Sequence, residues 1–264
     1  MSLQIIDWDD MQKELSEDDE SAGSAMTIGV FDGVHTGHVE LINRVVLQGP
    51  IPTIVTFREN PKKVVSTASF KGDIYTLNQK IALFERLGIK RVILIDFNLN
   101  FSKLTGREFF RLLAEQGKMV FLAVGGNFRC GYQKDTDADH IKEMNKARGI
   151  PTEVVEPVSA ADGPVSSSRI KSAIISGDMK KAAVLMGRKV ELDLSDLQSA
   201  GFRRDDSESN GLVFDLKAVN RIVPANGKYP VIINPGAVSG WAFTENGKVI
   251  LPGDVYRADS LEFI

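Results

Sequence analysis

Short apolar runs alternate with helix-spaced segments through the first two-thirds of this 264-residue chain. Residues 25–31 are apolar or small and lead into Asp32-Gly33. Residues 39–46 (Val-Glu-Leu-Ile-Asn-Arg-Val-Val) then change to helical spacing. The pair predicts a buried strand, a tight loop and a helix. The same alternation predicts strands at 52–57, 91–96, 118–124 and 151–155 and helices at 76–87, 105–114 and 137–148. Stop and start signals agree: Pro61 follows the second strand, Gly88 follows the helix at 76–87, and Thr105 with Glu108 makes a capping-box pattern. Residues 3–6 predict a short edge strand, and the acidic stretch 7–20 a solvated lead-in with room for a helical turn or two. Strand and helix alternating at this spacing imply an α/β fold with a parallel sheet and right-handed crossovers.

Further on, Gly163-Pro164-Val165-Ser166-Ser167-Ser168-Arg169-Ile170-Lys171 leads into a helix to about residue 175, and a second short helix at 178–186 ends at Gly187. Beyond Arg188 the texture changes. Short alternating segments at 212–219, 229–234, 239–243, 248–251 and 254–256 predict a small all-β module, joined through a polar connection at 199–210. The expected division is therefore 1–188 and 189–264.

Composition narrows the reading. The chain is 43% hydrophobic and 25% charged, enough for a sizeable core, and its net charge of −3 with no Lys/Arg cluster sets nucleic acid aside as a partner. One cysteine, Cys130, excludes an intrachain disulfide and a Cys-rich zinc site, which fits a reducing compartment and makes the cytoplasm the expected location. No apolar run reaches membrane-spanning length and no secretory leader is visible, so no membrane partner is expected.

In parallel sheets, ligands bind beyond the carboxyl ends of the strands, where the unusual segments 31–38, 57–61 and 125–131 all fall. His35 and His38, three apart at a helix start, can both donate to a phosphate, with Gly37 permitting close approach. The four-residue pattern alone equally fits a chance match in a surface loop; its place between strand and helix favours an anion site. Asp32 can bond the loop's own backbone or lie near a magnesium ion. Ser166, Ser167 and Ser168 offer hydroxyls and N–H groups beside Arg169 and Lys171, or simply a helix cap. Arg129 reads as a phosphate contact or a solvated turn residue, Cys130 as inert, and His140 as exposed. Sites for anions without a nucleophile and base point to phosphate chemistry.

The segments Gly29-x-Phe31-Asp32-Gly33-x-His35-x-Gly37-His38, Thr56-Phe57 with Pro61, Asn127-Phe128-Arg129-x-Gly131, Ser166-Ser167-Ser168-Arg169-Ile170-Lys171 and Gly187-Arg188 together resemble the FMN adenylyltransferase (FAD synthetase) module of bacterial bifunctional riboflavin kinase/FAD synthetases. The resemblance covers roughly residues 20–188. It implies a Rossmann-like sheet of the HxGH nucleotidyltransferase superfamily, and conversion of ATP and FMN to FAD and pyrophosphate with Mg²⁺. His35, His38, Arg169 and Lys171 would be catalytic. Gly29, Phe31, Asp32, Gly33, Gly37, Ser166, Ser167 and Ser168 would bind ATP. Phe57, Asn60, Pro61, Asn127, Phe128 and Arg129 would bind the flavin, with a magnesium contact at Asp32 or Asn127. Oligomeric state has no signal in the chain.

Three departures stand out. Asn60 replaces the histidine of the family's Pro-His-Pro, and Ser168 and Lys171 stand in where the family's motif ends Ser-Thr-x-Ile-Arg; a lysine lacks the bidentate fork of that arginine. The kinase stretch Gly-x-Pro-Thr-x-Asn is missing between Arg188 and Asn220, and only Val223-Pro224-Ala225-Asn226-Gly227-Lys228-Tyr229-Pro230-Val231 resembles a later barrel segment. A shortened barrel without kinase activity is expected. Alternatives are a flavin- or nucleotide-binding relative without turnover, and a superfamily relative acting on pantetheine phosphate or nicotinamide mononucleotide; the Phe-Asp-Gly-x-His stretch and the trailing barrel argue against the latter.

Overall fold

A computed structural model describes residues 2–17, 23–49, 51–195, 197, 203–204, 212–252, 255 and 257–264. The chain divides into two compact units. The first comprises Met1–Phe31, Gly37–Ser69 and Ile81–Ser159; the second comprises Asp32–Thr36, Phe70–Lys80 and Ala160–Ile264.

In chain order the elements of the first part are β1 (Gln4–Asp7), α1 (Met11–Glu17), β2 (Ser24–Ile28), α2 (Thr36–Gln48), β3 (Ile51–Phe57), α3 (Lys62–Val65), α4 (Leu77–Arg86), β4 (Arg91–Ile95), α5 (Gly106–Glu115), β5 (Met119–Gly125), β6 (Arg129–Cys130), β7 (Thr136–Asp137), α6 (Ala138–Lys146) and β8 (Thr152–Val155). The first unit is built on a six-stranded sheet in the order β1-β4-β3-β2-β5-β8, parallel throughout. Both faces of such a sheet are covered, so its strands are continuous apolar runs rather than alternating ones. Accordingly β2 and β4 are buried at every position. Met26, Ile28, Val55, Ile93, Ile95, Leu122 and Val124 pack with Phe109, Phe110 and Leu113 of α5 and Ile141 of α6. The Thr105 side chain accepts from Glu108 N at 3.2 Å, as the capping pattern predicts.

After β2 the chain lays β3 and β4 on one side, then returns to place β5 and β8 on the other. The carboxyl ends of β2 and β5 thus flank the point where strand order reverses, the usual ligand crevice of open α/β sheets. β1 is an edge strand, as expected.

The remaining elements are β9 (Ser159–Ala160), β10 (Gly163–Pro164), α7 (Ser167–Ile175), α8 (Met179–Met186), β11 (Glu191–Asp193), β12 (Arg203–Arg204), β13 (Leu212–Asp215), β14 (Gly227–Asn234), β15 (Val238–Glu245), β16 (Lys248–Leu251) and β17 (Ser260–Phe263). Seven of them form an antiparallel sheet in the order β11-β17-β14-β15-β16-β13-β12. The barrel-like expectation is met as an open sheet, since β11 and β12 are its edges and do not pair with each other.

Several boundaries differ from the sequence reading. The first strand ends at Ile28 rather than Phe31, because Phe31, Gly33 and Val34 take left-handed backbone angles that no strand tolerates. The helix after it starts at Thr36 instead of Val39. The strand expected over 212–219 stops at Asp215, whose carboxylate accepts from Lys217 N and Ala218 N and turns the chain. Of the expected strand at 254–256 only Val255 is described, its N–H donating to Pro252 O rather than to a neighbouring strand, and most of the connection at 199–210 lies outside the described residues. Among the described residues no helix is long and apolar enough to cross a membrane.

Ile93 is fully buried in β4, whereas Val120 of β5 is exposed. Ile93→Ala should therefore lower unfolding free energy by about 2–5 kcal/mol and Val120→Ala by less than about 1 kcal/mol. Urea denaturation of the two variants checks the contrast.

Candidate active site

The loop after β2 is held in an unusual shape. Gly29 N donates to Val55 O at 3.1 Å, and Thr56 Oγ1 to Val30 O at 3.4 Å, fixing its start against β3. Phe31 has φ +51° and is fully buried, meeting Phe84 edge-on at 5.6 Å and His38 at 5.1 Å between ring centroids. Gly33 follows at φ +78° and Val34 at +40°. Left-handed angles cost a side-chain-bearing residue roughly 1–2 kcal/mol, so surrounding contacts must stabilise this turn. At Gly33 a Cβ would also lie 3.0 Å from Ile74 Cδ1, which explains why glycine stands there.

Within the second unit those contacts converge on Asp32. Its buried carboxylate accepts from Ile74 N at 2.8 Å through Oδ1, and its Oδ2 lies 2.6 Å from Lys171 Nζ on α7. The carbonyl of Asp32 accepts from Ser167 Oγ at 2.9 Å. The Lys171 ammonium also lies 5.5 Å from the Phe70 ring centroid. Both members of the ion pair are largely shielded from water; removing either would leave an uncompensated charge, at a cost of about 3–5 kcal/mol. The Asp32 carboxylate thus bonds the backbone of residue 74, 42 positions on, rather than the backbone of its own loop as expected.

His35 is buried two residues before Gly37. Burial lowers its pKa from the ordinary 6.5 to about 4; the Asp32 charge opposes the shift and Arg188 adds to it. At neutral pH the imidazole is uncharged, with one N–H to donate and one lone pair to accept. His38 lies in the first turn of α2, where helix N–H groups lack intrahelical partners and favour an anion.

The serine-rich stretch divides its labour. Ser166 caps α7, its Oγ accepting from Arg169 N at 3.3 Å; Ser167 bonds the Asp32 carbonyl; Ser168 is exposed. Arg169 donates to the carbonyls of Gly163 and Pro164, each at 2.6 Å, and pairs with Asp162, which Lys181 also meets at 2.7 Å. Held by these two cations, the Asp162 carboxyl has a pKa well below the usual range.

The flavin candidates belong to the first unit and follow β3 and β5. Phe57 ends β3 and meets Phe97 at 5.8 Å and Phe101 at 6.4 Å. Asn60 is buried, and its Oδ1 accepts from Lys62 N at 3.1 Å, turning the chain into α3 after Pro61. Asn127 is exposed in a turn closed by Phe128 N donating to Gly125 O at 2.9 Å; Phe128 packs on the core, and exposed Arg129 lies 3.7 Å from Asp137. His140 is exposed as expected, with Nδ1 2.7 Å from Asp137. Burial pushes the Cys130 thiol up to about 12, consistent with an inert side chain.

Sequence reasoning missed the part played by Arg188. It had a signal, the Gly-Arg that ends the matched segments, but no local pattern ties it to a loop 155 residues away. Among the described residues no group of three or more His, Cys, Asp or Glu side chains could hold a metal ion. Of the two magnesium contacts expected, Asp32 has both carboxylate oxygens engaged, by Lys171 and a backbone amide.

Comparison with known proteins supplies a family. The model of the FAD synthetase family matches residues 17–169. The bifunctional riboflavin kinase/FMN adenylyltransferase of Bacillus subtilis is 30% identical over 176 residues, covering 64% of this chain and 55% of that protein. Its Escherichia coli K12 counterpart is 26% identical over 170 residues, covering 62% and 54%. The chain thus spans about half the length of the curated relatives it matches. A crystal structure described as a macrolide-efflux protein from Streptococcus pneumoniae has the same fold, with a TM-score of 0.79, 21% identity and coverage of 99% of this chain and 89% of that one.

The shift at His35 has a stability consequence with a definite sign. The unfolded chain binds this proton more tightly, so the stabilisation is full above pH 6.5 and is lost as pH falls toward 4. Between pH 7 and pH 4, His35→Gln should lose about 3 kcal/mol less unfolding free energy than the parent chain. Urea titrations of both proteins at the two pH values measure the difference.

Proposed function

Since the chain belongs to the FAD synthetase family, we propose that it transfers the adenylyl group of ATP to FMN, giving FAD and pyrophosphate. The observation that carries this reading is the loop that follows β2 in the chain: a left-handed turn, a buried uncharged histidine and then a helix N-terminus. An FMN phosphate oxygen attacks the α-phosphorus of ATP, and the bond from that phosphorus to the β-phosphate oxygen breaks to release pyrophosphate. No covalent enzyme intermediate is needed, so positioning and charge stabilisation supply the catalysis.

In this reading His35 and His38 donate to the ATP phosphates, Gly29, Phe31, Asp32, Gly33 and Gly37 shape the loop, Ser166 opens the helix that faces the nucleotide, and Ser167, Ser168, Arg169 and Lys171 meet the triphosphate. Phe57, Asn60, Pro61, Asn127, Phe128 and Arg129 receive the flavin. Magnesium enters as part of the magnesium–ATP substrate. Residues 1–188 carry the transferase, residues 189–264 are a shortened barrel without riboflavin kinase activity, and the protein works in the cytoplasm.

One observation favours a second reading, a flavin- or nucleotide-binding relative without turnover. Lys171 and Arg169, the cations assigned to the triphosphate, already have carboxylate partners in Asp32 and Asp162.

Incubation with FMN and magnesium–ATP should yield FAD and pyrophosphate, followed by chromatography and coupled release, whereas riboflavin with magnesium–ATP should yield no FMN. FMN binding without turnover would favour the second reading. His38→Ala should slow FAD formation at least about tenfold, the loss of one preorganised contact; an unchanged rate would remove His38 from the chemistry.

A further inference from the structure

We propose that Arg188 is a positioning residue for the phosphate-binding loop, its guanidinium gathering the carbonyls of Gly33 and Val34 and thereby setting the placement of His35. The inference rests on the reading of that loop given above and assigns a role to a residue outside the family-matched segment, which ends at residue 169.

Nearly the whole guanidinium fork is used. Nη1 donates to Val34 O at 2.9 Å and to Met186 O at 3.1 Å, Nη2 donates to Gly33 O, and Nε donates to Tyr75 Oη at 3.1 Å. The charged plane lies 5.2 Å from the centroid of the buried Tyr75 ring. The base of the side chain is fixed as well. Gly187 ends α8 at φ +71°, and Arg188 N donates back to Ala183 O at 3.2 Å. A Cβ on Gly187 would lie 2.8 Å from Thr36 Cγ2, and Thr36 Oγ1 donates to Leu185 O at 3.3 Å, so the end of α8 lies directly against the residue that follows His35.

Two consecutive carbonyls in a left-handed turn need donors, and carbonyl oxygens turned toward a phosphate would repel it. One planar fork satisfies both at once, on the side of α8. A lysine offers a single point of attachment and cannot span Gly33, Val34, Met186 and Tyr75 together. Charged groups facing His35 are Asp32 and Arg188, of opposite effect, with Lys171 neutralising Asp32.

The test uses Arg188→Lys and Arg188→Ala in the full chain, with two readouts. In FAD formation, both variants should raise the KM for ATP at least about tenfold, and millimolar guanidinium should restore part of the loss in Arg188→Ala only. In an NMR titration of the three histidines, the His35 midpoint should rise in Arg188→Ala from about 4 toward 6.5. Wild-type ATP kinetics and an unmoved His35 midpoint in Arg188→Lys would overturn the proposal, since charge without the fork would suffice. If Arg188→Ala does not fold, Arg188→Lys decides by the same criteria. If the parent chain makes no FAD, the transferase reading fails, and the His35 titration alone decides the role of Arg188.

Discussion

A carboxylate buried beside a turn must be neutralised where it stands, and Asp32 is neutralised by a lysine 139 residues further along the chain. Lys171 meets Oδ2 at 2.6 Å while Ile74 N takes Oδ1. Through its two oxygens the Asp32 carboxylate joins the loop to α7 and to the segment 70–80, which is itself tied to the C-terminal part of the second unit by Asp73 N to Asn220 O and Ile222 N to Asp73 O. Residues 32–36 belong to the second unit although they begin only four positions after a strand of the first ends. The contacts around the loop follow from this. Ser167 can reach the Asp32 carbonyl because Lys171, one helical turn on, is already anchored.

The same pair changes how a lysine in place of an arginine should be understood. A lysine is a compact point charge suited to one carboxylate oxygen, and Asp32 offers one. The fork an arginine would provide is supplied in this neighbourhood by Arg188, which acts on carbonyls rather than on a carboxylate. Asn60 fits a parallel argument. Its side chain accepts from its own loop at Lys62 N, a local turn bond typical of asparagine, so the residue shapes the chain between β3 and α3.

The strands of the first unit were legible in the sequence because burial on both faces makes them uninterrupted apolar runs, and Thr105 and Gly88 marked helix ends by local chemistry. The loop was legible as a place and not as a shape. Phe31 and Val34 have left-handed angles that neither residue type announces, so the strand was drawn three residues too long. Partners far apart in sequence leave no periodic trace: Asp32 with Lys171, Thr76 with Asp193 at 2.9 Å, and Arg188 with Gly33 were all beyond pattern reading. The last strand, β17, escaped because four residues with a weak alternation look like a tail until β11 and β14 pair with it on either side.

The charges that meet the loop and its serine-rich partner segment bear on what the loop can hold. Asp32 cancels Lys171, His35 is uncharged near neutrality, and Asp162 balances one of the two cations it meets. Of the cations named, the charge of Arg188, already turned onto backbone carbonyls, and one of Arg169 or Lys181 remain without a carboxylate of this set. A triphosphate carries more negative charge than that. Binding it here would lean on neutral donors and helix N–H groups, whose strength depends on being fixed in place before the ligand arrives, and on a cation brought by the nucleotide itself. That is why the rigidity of the left-handed turn, and the residues that enforce it, weigh more in this chain than the count of positive side chains.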